Sequence, residues 1–199
     1  MALAQNLARL TEADYLRIER QAQFRSEFFD GEMFAMAGGM RAHSLIATNL
    51  AGLLTNALKG SDCVAYNTDL RVKIEATGLL TYPDISIVCG EQRFLDEQED
   101  TLLNPVLIIE VLSDSTEAYD RGKKFEHYRQ IPSCREYLLV SQKEPRIEQF
   151  VGKSNGEWTL KEASGVEAEI KLVSLGTVFR LAEVFAKVQF TPAGLRRRT

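Results

Sequence analysis

The chain has 199 residues, of which 45% are apolar and 26% are charged, and its formal net charge is −4. This composition is typical of an ordinary globular protein, and the length fits one domain, 1–199. No stretch of 18 apolar residues occurs, so we expect no membrane span. The acidic balance gives no support to a large basic surface for nucleic acid.

The chain start and the cysteines indicate a cytoplasmic protein. The stretch MALAQNLARL lacks the basic region and the apolar core of a signal peptide. Cys63, Cys89 and Cys134 lie far apart in sequence, and an odd, scattered count disfavours a disulfide framework and a cysteine-based zinc site. We therefore expect free thiols in a reducing compartment. The basic tail 196–198 is expected to be a solvated end.

The first sixty residues predict a helix, a hairpin and a long helix. Thr11 and Asp14 have the spacing of a capping box, which predicts a short helix to about residue 20. Asp30-Gly31 favours a type I′ turn and predicts a hairpin of 24–29 with 32–37. Apolar residues recur at helical spacing over 42–59, and Gly60 ends that helix.

The rest of the chain is richer in strands. We predict strands at 63–66, 70–74, 82–89, 106–112 and 136–141, a loop at 93–104 and a helix at 117–129. A strand-rich tail follows at 146–151, 158–162 and 168–172, with a last short helix at 181–188. The order of helix, strands, helix and strand predicts an α/β (α+β) protein with a mixed sheet flanked by helices.

Two carboxylates occupy unusual positions in the predicted sheet. Glu110 lies in the apolar strand 106–112, where an unpaired charge is costly. Asp84 follows Pro83 at the start of the preceding apolar run. If the strands are neighbours, Asp84 and Glu110 can meet on one face. Because meeting carboxylates repel, a shared proton, a basic side chain or a hard divalent cation must lie between them.

The helix after the Glu110 strand carries a stripe of polar residues. Asp120, Lys124 and Tyr128 recur at every fourth position and therefore share one helix face. Local spacing alone favours a surface ion pair of Asp120 with Lys124, worth about 0.3–0.5 kcal/mol, over a functional role.

Several ordered motifs resemble a nuclease family. Pro83-Asp84, followed by Glu110 in an apolar strand, resembles the PD-(D/E)xK signature. Longer stretches resemble the Uma-two family of endonucleases, namely YLRIER, FFDGEMFAMAGGMRAHSLIATNL, YPDISIVC, NPVLIIEVLSDSTEAYDRGKKFEHYRQIPSCREYLLV, RIEQF and GEW. The resemblance covers about 11–160 and implies a restriction-endonuclease-like core with a mixed central β-sheet, extra β-hairpins and a β-rich extension at about 146–190.

The resemblance also implies a chemistry, which is metal-dependent hydrolysis of phosphodiester bonds in nucleic acid, with DNA as the expected substrate. Asp84 and Glu110, with the carbonyl oxygen of Val111, would hold Mg²⁺ or Mn²⁺. Nucleases of this fold commonly act as dimers, so a homodimer is an expected partner state, and the segment after residue 146 is one candidate surface for it.

One position departs from the superfamily signature. The pattern calls for lysine two residues after Glu110, and this chain has Leu112. The resemblance implies that the lysine has moved to the following helix, where Lys124 rather than Lys123 fits the family's spacing. A long side chain can bring its ammonium to the same point from another element. Asp120 and Tyr128 would then hold Lys124 in place.

Three further residues have open roles. His43, near the start of the long helix, could contact metal or phosphate, or could serve as a capping or packing histidine. Glu32 could reach the site or remain a solvated hairpin residue. His127 lies off the Lys124 stripe and is expected at the surface.

Two other readings of the site stay open. The chain could be a non-catalytic nucleic-acid-binding or protein-interaction module that keeps the nuclease fold, which the acidic charge and Leu112 favour. Glu110 and Lys124 could also form a buried structural ion pair without metal. The sequence does not indicate the target, the choice between DNA and RNA, or the biological role.

Overall fold

The computed structural model describes residues 9–190, and the basic tail 196–198 lies outside the described residues. The elements in chain order are α1 (Glu12–Glu19), β1 (Ser26–Phe29), β2 (Glu32–Ala35), α2 (Arg41–Ala57), β3 (Cys63–Asn67), β4 (Arg71–Ile74), β5 (Leu79–Thr81), β6 (Ile85–Cys89), β7 (Thr101–Leu102), β8 (Leu107–Leu112), α3 (Glu117–Tyr119), a π-helical turn (Asp120–Lys124), α4 (Phe125–Tyr128), β9 (Glu136–Ser141), β10 (Arg146–Gly152), β11 (Trp158–Ser164), β12 (Glu169–Leu172), β13 (Thr177–Arg180) and α5 (Leu181–Val184).

Local signals at the start of the chain form the predicted structures. The backbone amide of Asp14 donates to Oγ1 of Thr11 at 3.1 Å, and the Asp14 carboxylate accepts from the Thr11 amide, which completes the capping box of α1. Asp30 and Gly31 have φ values of 49° and 82°, the left-handed backbone of a type I′ turn. The β1–β2 hairpin is therefore confirmed.

Other boundaries differ from the predictions. The strand predicted at 82–89 begins only at Ile85, because Tyr82-Pro83-Asp84 separates it from the unpredicted strand β5. Pro83 has no amide hydrogen for a strand ladder. The predicted loop 93–104 contains β7, which at two residues is too short to show a periodic pattern. The unpredicted strand β13 pairs with β12.

A six-stranded mixed sheet forms the centre of the fold, in the order β11-β10-β9-β8-β6-β3. Strand β8 runs antiparallel to β6 and parallel to β9. Helix α2 packs Ile46, Leu50 and Leu54 against one face, together with β12, β13 and α5. All six residues of β8 are buried, which explains its nearly continuous apolar sequence.

A second sheet covers the other face of the central sheet. Its order is β2-β1-β5-β4-β7, and Val72, Ile74 and Leu79 from it pack with Ile108 of β8 and Tyr128 of α4. This sheet carries the β1–β2 hairpin at one edge, so the hairpin approaches the helical segment that follows β8. The architecture is the predicted mixed sheet flanked by helices with extra hairpins.

Two of the three cysteines are paired, which corrects the expectation of free thiols. Cys63 of β3 lies directly opposite Cys89 of β6 in the antiparallel ladder, and the two form a disulfide. Sequence separation hid this pairing because the register of two strands, not their spacing along the chain, brings the sulfur atoms together. Cys134 is a free, buried thiol.

Within residues 9–190, no helix is both long enough and apolar enough to cross a membrane.

Candidate active site

Asp84 and Glu110 meet where β6 begins and β8 ends its run through the core. Ile85 is paired with Ile109, so the residues preceding and following them, Asp84 and Glu110, lie side by side. The Asp84 amide lies 3.3 Å from Oε2 of Glu110 and donates to it, and the Val111 amide donates to Oδ2 of Asp84 at 2.7 Å. The backbone thus fixes both carboxylates on neighbouring strands.

Lys124 reaches Glu110 from the π-helical turn. Its Nζ lies 2.9 Å from Oε1 of Glu110, 3.1 Å from Oε1 of Glu27 and 3.6 Å from Oδ1 of Asp120. The Lys124 side chain is only 7% exposed, so this is no surface ion pair. Lys123, its neighbour, is exposed. The structure thus brings the predicted lysine, and not its neighbour, into the acidic cluster.

The helical stripe predicted after β8 faces the same cluster. The Tyr128 hydroxyl donates to Oε1 of Glu110 at 2.8 Å, and Tyr128 is fully buried. The predicted helix 117–129 contains a wider π-helical turn at Asp120–Lys124, and such turns occur frequently at functional sites. Leu112, at the position of the signature lysine, is buried in the core beside Tyr128.

Glu27 is a cluster residue that sequence reasoning missed, and Glu32, which it named, lies elsewhere. Glu27 is on β1, accepts a hydrogen bond from the Thr81 hydroxyl and contacts Lys124. Glu32 is exposed on the edge strand β2, opposite Phe29, which matches the solvated alternative. The position of each strand in the sheet distinguishes the two glutamates. Strand β1 pairs with a strand on each side, whereas β2 pairs only with β1.

His43 stands at the more exposed end of the cluster. Its Nε2 lies 3.2 Å from Oδ2 of Asp84, and its side chain is 19% exposed. The hydrogen bond to Asp84 raises the pKa of His43 against the opposing effect of burial. A Cβ on Gly39 would lie 2.9 Å from Nδ1 of His43, so a side chain at position 39 would displace the imidazole.

His127 is buried, which corrects its expected surface position. Its Nδ1 lies 2.8 Å from the Thr77 hydroxyl, and its ring makes an edge contact with Phe29 at 4.8 Å between centroids. The second sheet covers this side of the helical segment, so His127 is a buried packing residue although it lies outside the Lys124 stripe. Burial lowers the pKa of His127.

The cluster has more acidic than basic groups. The carboxylates of Glu27, Glu110 and Asp120 surround the ammonium of Lys124, and Asp84 adds a fourth carboxylate next to Glu110. Burial raises the pKa of Glu110 to about 8 although Lys124 opposes the shift. Burial also raises the pKa of Asp120. Excess negative charge in a buried site is relieved by binding a proton or a cation.

Lys124 itself remains charged. Burial alone would lower its pKa, but the carboxylates of Glu110, Glu27 and Asp120 outweigh burial and raise the pKa well above its usual value. Oδ1 of Asp120 is buried and makes no hydrogen bond to the part of the chain that the structure describes. The Lys124 ammonium lies 3.6 Å from this oxygen.

The donor set suits a hard divalent cation with few protein ligands. Oδ1 of Asp84 accepts no hydrogen bond from residues 9–190, and Oε2 of Glu110 faces only the long contact from the Asp84 amide. Around them, the described residues include no three His, Cys, Asp or Glu side chains whose ligand atoms all lie within 4.8 Å of one another. Magnesium commonly takes one or two carboxylates, and water or substrate phosphate completes its coordination.

Comparison with known proteins identifies the family that this chain matches. Residues 12–183 match the model of the Uma2 family, described as "Putative restriction endonuclease". The chain is 36% identical over 182 residues to the uncharacterized protein slr1290 of Synechocystis sp., covering 92% of this chain and 94% of that protein. It is also 36% identical over 162 residues to the uncharacterized protein sll1609 of the same organism, covering 81% and 92%.

A solved structure shows the same fold. A crystal structure described as a putative nuclease belonging to DUF820, from Anabaena variabilis, superposes with a TM-score of 0.70. The match covers 87% of this chain and 96% of that chain at 16% sequence identity. Together with the family match, it gives this chain the restriction-endonuclease-like fold.

Proposed function

This chain belongs to the Uma2 family, and on that premise we propose that it is a divalent-metal-dependent nuclease that hydrolyses phosphodiester bonds in nucleic acid, with DNA as the substrate. The observation that carries the proposal is the meeting of Asp84, Glu110 and Lys124 from three separate elements at one partly open site. A structural ion pair needs neither Asp84 nor an opening toward solvent.

Asp84 and Glu110 are the residues that would hold the metal ion. Oδ1 of Asp84 and Oε2 of Glu110 supply two carboxylate oxygens, and Mg²⁺ or Mn²⁺ is the cation of choice for such donors. When bound, such an ion would supply Lewis-acid chemistry, which polarises a phosphate oxygen and lowers the pKa of a water molecule. His43 fixes Oδ2 of Asp84 and thereby orients the other oxygen toward the site.

Lys124 supplies a positive charge to the site in addition to that of the metal ion. Its ammonium is held by three carboxylates and lies next to Glu110, the residue proposed to bind the metal. From there it can orient the attacking water or stabilise the charge that develops on the phosphate. Tyr128 holds Oε1 of Glu110 and leaves Oε2 for the metal.

Cleavage of plasmid DNA in Mg²⁺ or Mn²⁺ tests the proposal. The wild-type chain should nick or cut DNA, EDTA should stop the reaction, and Asp84→Asn or Glu110→Gln should abolish it. Glu97→Gln makes the same replacement at an exposed glutamate and should leave cleavage intact. Cleavage that survives both site substitutions refutes the assignment.

A second candidate function rests on the buried Lys124 cluster. Because Glu110 Oε1 is already paired with Lys124 and Tyr128, the fold could be a non-catalytic nucleic-acid-binding or protein-interaction module. Calorimetric titration with Mn²⁺ separates the two functions. The nuclease requires a binding event that Glu110→Gln removes, whereas the module predicts no such event in either protein.

A further inference from the structure

A second group of potential metal ligands lies around the disulfide. Cys63 and Cys89 are the last register pair of the β3–β6 ladder, with Cα atoms 3.9 Å apart, and both side chains are half-buried. Strand β3 is the edge strand of the central sheet, so it pairs with another strand on one side only. The half-buried cysteine pair therefore lies at the edge of the sheet, next to the exposed Asp62.

Asp62 is held beside the two sulfur atoms by the backbone. The Gly90 amide donates to the Asp62 carbonyl at 3.1 Å, which ties the residue before β3 to the residue after β6. Oδ1 of Asp62 lies 3.7 Å from Sγ of Cys63. Of all His, Cys, Asp and Glu side chains in residues 9–190, only those of Asp62, Cys63 and Cys89 form a group of three with ligand atoms mutually within 4.8 Å.

We propose that Asp62, Cys63 and Cys89 bind a zinc ion when the disulfide is reduced. Two thiolates and one carboxylate are a donor set that zinc accepts, and three protein ligands leave one position for water. Thiolates select a softer cation than the magnesium favoured by the oxygen ligands of Asp84 and Glu110. Zinc–sulfur bonds of about 2.3 Å require the sulfur atoms to separate to about 3.8 Å, which rotation about the Cα–Cβ bonds provides.

Zinc binding and the disulfide exclude each other. A dithiol reductant donates two electrons and two protons, the sulfur–sulfur bond breaks to give two thiols, and the reductant becomes a disulfide. Zinc then displaces the two thiol protons, because the thiolate is the ligand. Either the covalent bond or the metal joins the edge strand β3 to β6, and the zinc-free dithiol protein has neither link.

The zinc site is independent of the proposed nuclease centre. Asp84 precedes β6 and Cys89 ends it, so the two sites lie at opposite ends of one strand, separated by about 17 Å at the usual rise of about 3.3 Å per residue. The inference therefore stands whether or not Asp84 and Glu110 support catalysis.

Cobalt titration of the whole chain tests the inference without any substitution. Protein reduced by a dithiol and separated from it without oxygen should bind one Co²⁺ with thiolate-to-cobalt charge-transfer absorption, which added Zn²⁺ should abolish. Oxidised protein should show no such absorption. Zinc should also raise the midpoint of thermal unfolding of the reduced protein by more than that of the oxidised protein, in which the two sulfur ligands are joined to each other.

Substitutions identify the ligands. Cys63→Ser should remove the charge-transfer absorption, whereas Cys134→Ser should keep it, since burial raises the pKa of the Cys134 thiol to about 12 and keeps it protonated. Asp62→Asn should weaken Co²⁺ binding at least about tenfold, because even outer partners of metal ligands are worth about 10–100-fold. Absence of the absorption in the reduced wild-type chain, or its persistence in Cys63→Ser, overturns the proposal. Unchanged affinity in Asp62→Asn overturns the role of Asp62. Asp84→Asn should bind Co²⁺ here as the wild type does.

Discussion

The ammonium of Lys124 lies 2.9 Å from Oε1 of Glu110, and both side chains are at least nine-tenths buried. Two further carboxylates, Glu27 and Asp120, approach the same nitrogen. A single lysine thus compensates the charge of a region that no other described lysine or arginine enters. Its removal and the removal of Glu110 should therefore have unequal consequences.

Lys124→Met should destabilise the protein strongly. The substitution keeps an unbranched side chain of similar length and leaves Glu27, Glu110 and Asp120 without their cation. Breaking a buried pair in this way costs about 3–5 kcal/mol. Glu110→Gln should cost less, because two carboxylates still pair with Lys124. Urea unfolding monitored by circular dichroism measures both. Equal losses from the two substitutions would contradict the charge balance described here.

The Tyr128 hydroxyl should contribute through its hydrogen bond to Glu110. Tyr128→Phe keeps the buried ring and removes only the donor, so we expect a loss of about 1.5–3 kcal/mol in the free energy of unfolding. Thr48→Val is a matched control for loss of a hydroxyl, since the Thr48 hydroxyl bonds to a helix carbonyl at an exposed site and should matter little. If Tyr128→Phe is neutral, Glu110 is not held as the geometry indicates.

Two adjacent glycines give a matched test of His43. In Gly39→Ala the added Cβ would come within 2.9 Å of the His43 ring, whereas a Cβ on Gly38 meets no heavy atom within 4 Å. Gly39→Ala should displace the imidazole from Asp84 and lower DNA cleavage by about tenfold or more, as misplacement of positioning groups commonly does. Gly38→Ala should be close to wild type. Ring NMR signals report the displacement, with His127 as the internal reference. If Gly39→Ala and Gly38→Ala changed DNA cleavage equally, His43 would have no role in the site.

The fold was more predictable from sequence than the site. Caps and turns depend on neighbouring residues, so Thr11, Asp14 and Asp30-Gly31 located α1 and the hairpin correctly. Pairings between distant residues depend on strand register, which apolar patterns leave open when both faces of a sheet are buried. Cys63 with Cys89 was missed for this reason.

The same limit explains the errors around Lys124. Helical spacing placed Asp120, Lys124 and Tyr128 on one face, but spacing alone favoured a surface ion pair over a place in the site. His127 is buried and Glu27 contacts Lys124 because the second sheet packs over the helical segment. Helical spacing does not reveal this packing. Glu27 was missed because the sequence does not distinguish the inner strand of the hairpin from its edge strand, where Glu32 lies.

Asp100 should make stability depend on acid pH. Burial would raise the pKa of Asp100, but hydrogen bonds from Arg20 and Arg71 outweigh it and lower the pKa. Because the folded pKa lies below the unfolded value of about 3.9, the stabilisation is fully present above that value and is lost as pH falls through and below it. Asp100→Asn should cost about 1–2 kcal/mol at neutral pH, less than a fully buried pair because Asp100 is one-third exposed.

Thermal unfolding over a pH series checks the sign. The difference between the wild type and Asp100→Asn should be constant above about pH 5 and shrink at lower pH. Asp30→Asn is the control, since Asp30 pairs with Arg9 at an exposed site and asparagine tolerates its left-handed backbone. A difference that grows on acidification would show that Asp100 is not the stabilised carboxylate.

The two glutamates of the β1–β2 hairpin separate the proposed mechanism from a general effect of acidic residues. Glu27 lies 3.1 Å from Nζ of Lys124, whereas Glu32 is exposed on the edge strand. Glu27→Gln keeps the shape and the hydrogen-bonding capacity of the side chain but removes one of the charges that hold the ammonium. We expect cleavage to fall by about tenfold or more, with little change in DNA binding, because the proposed role of Lys124 is to act on the reacting phosphate rather than to bind DNA. Glu32→Gln should leave both quantities unchanged. Cleavage assays on the pair, with binding measured in Ca²⁺, provide the comparison. If Glu32→Gln lost activity while Glu27→Gln kept it, the exposed Glu32 and not Glu27 would be the hairpin residue that cleavage requires.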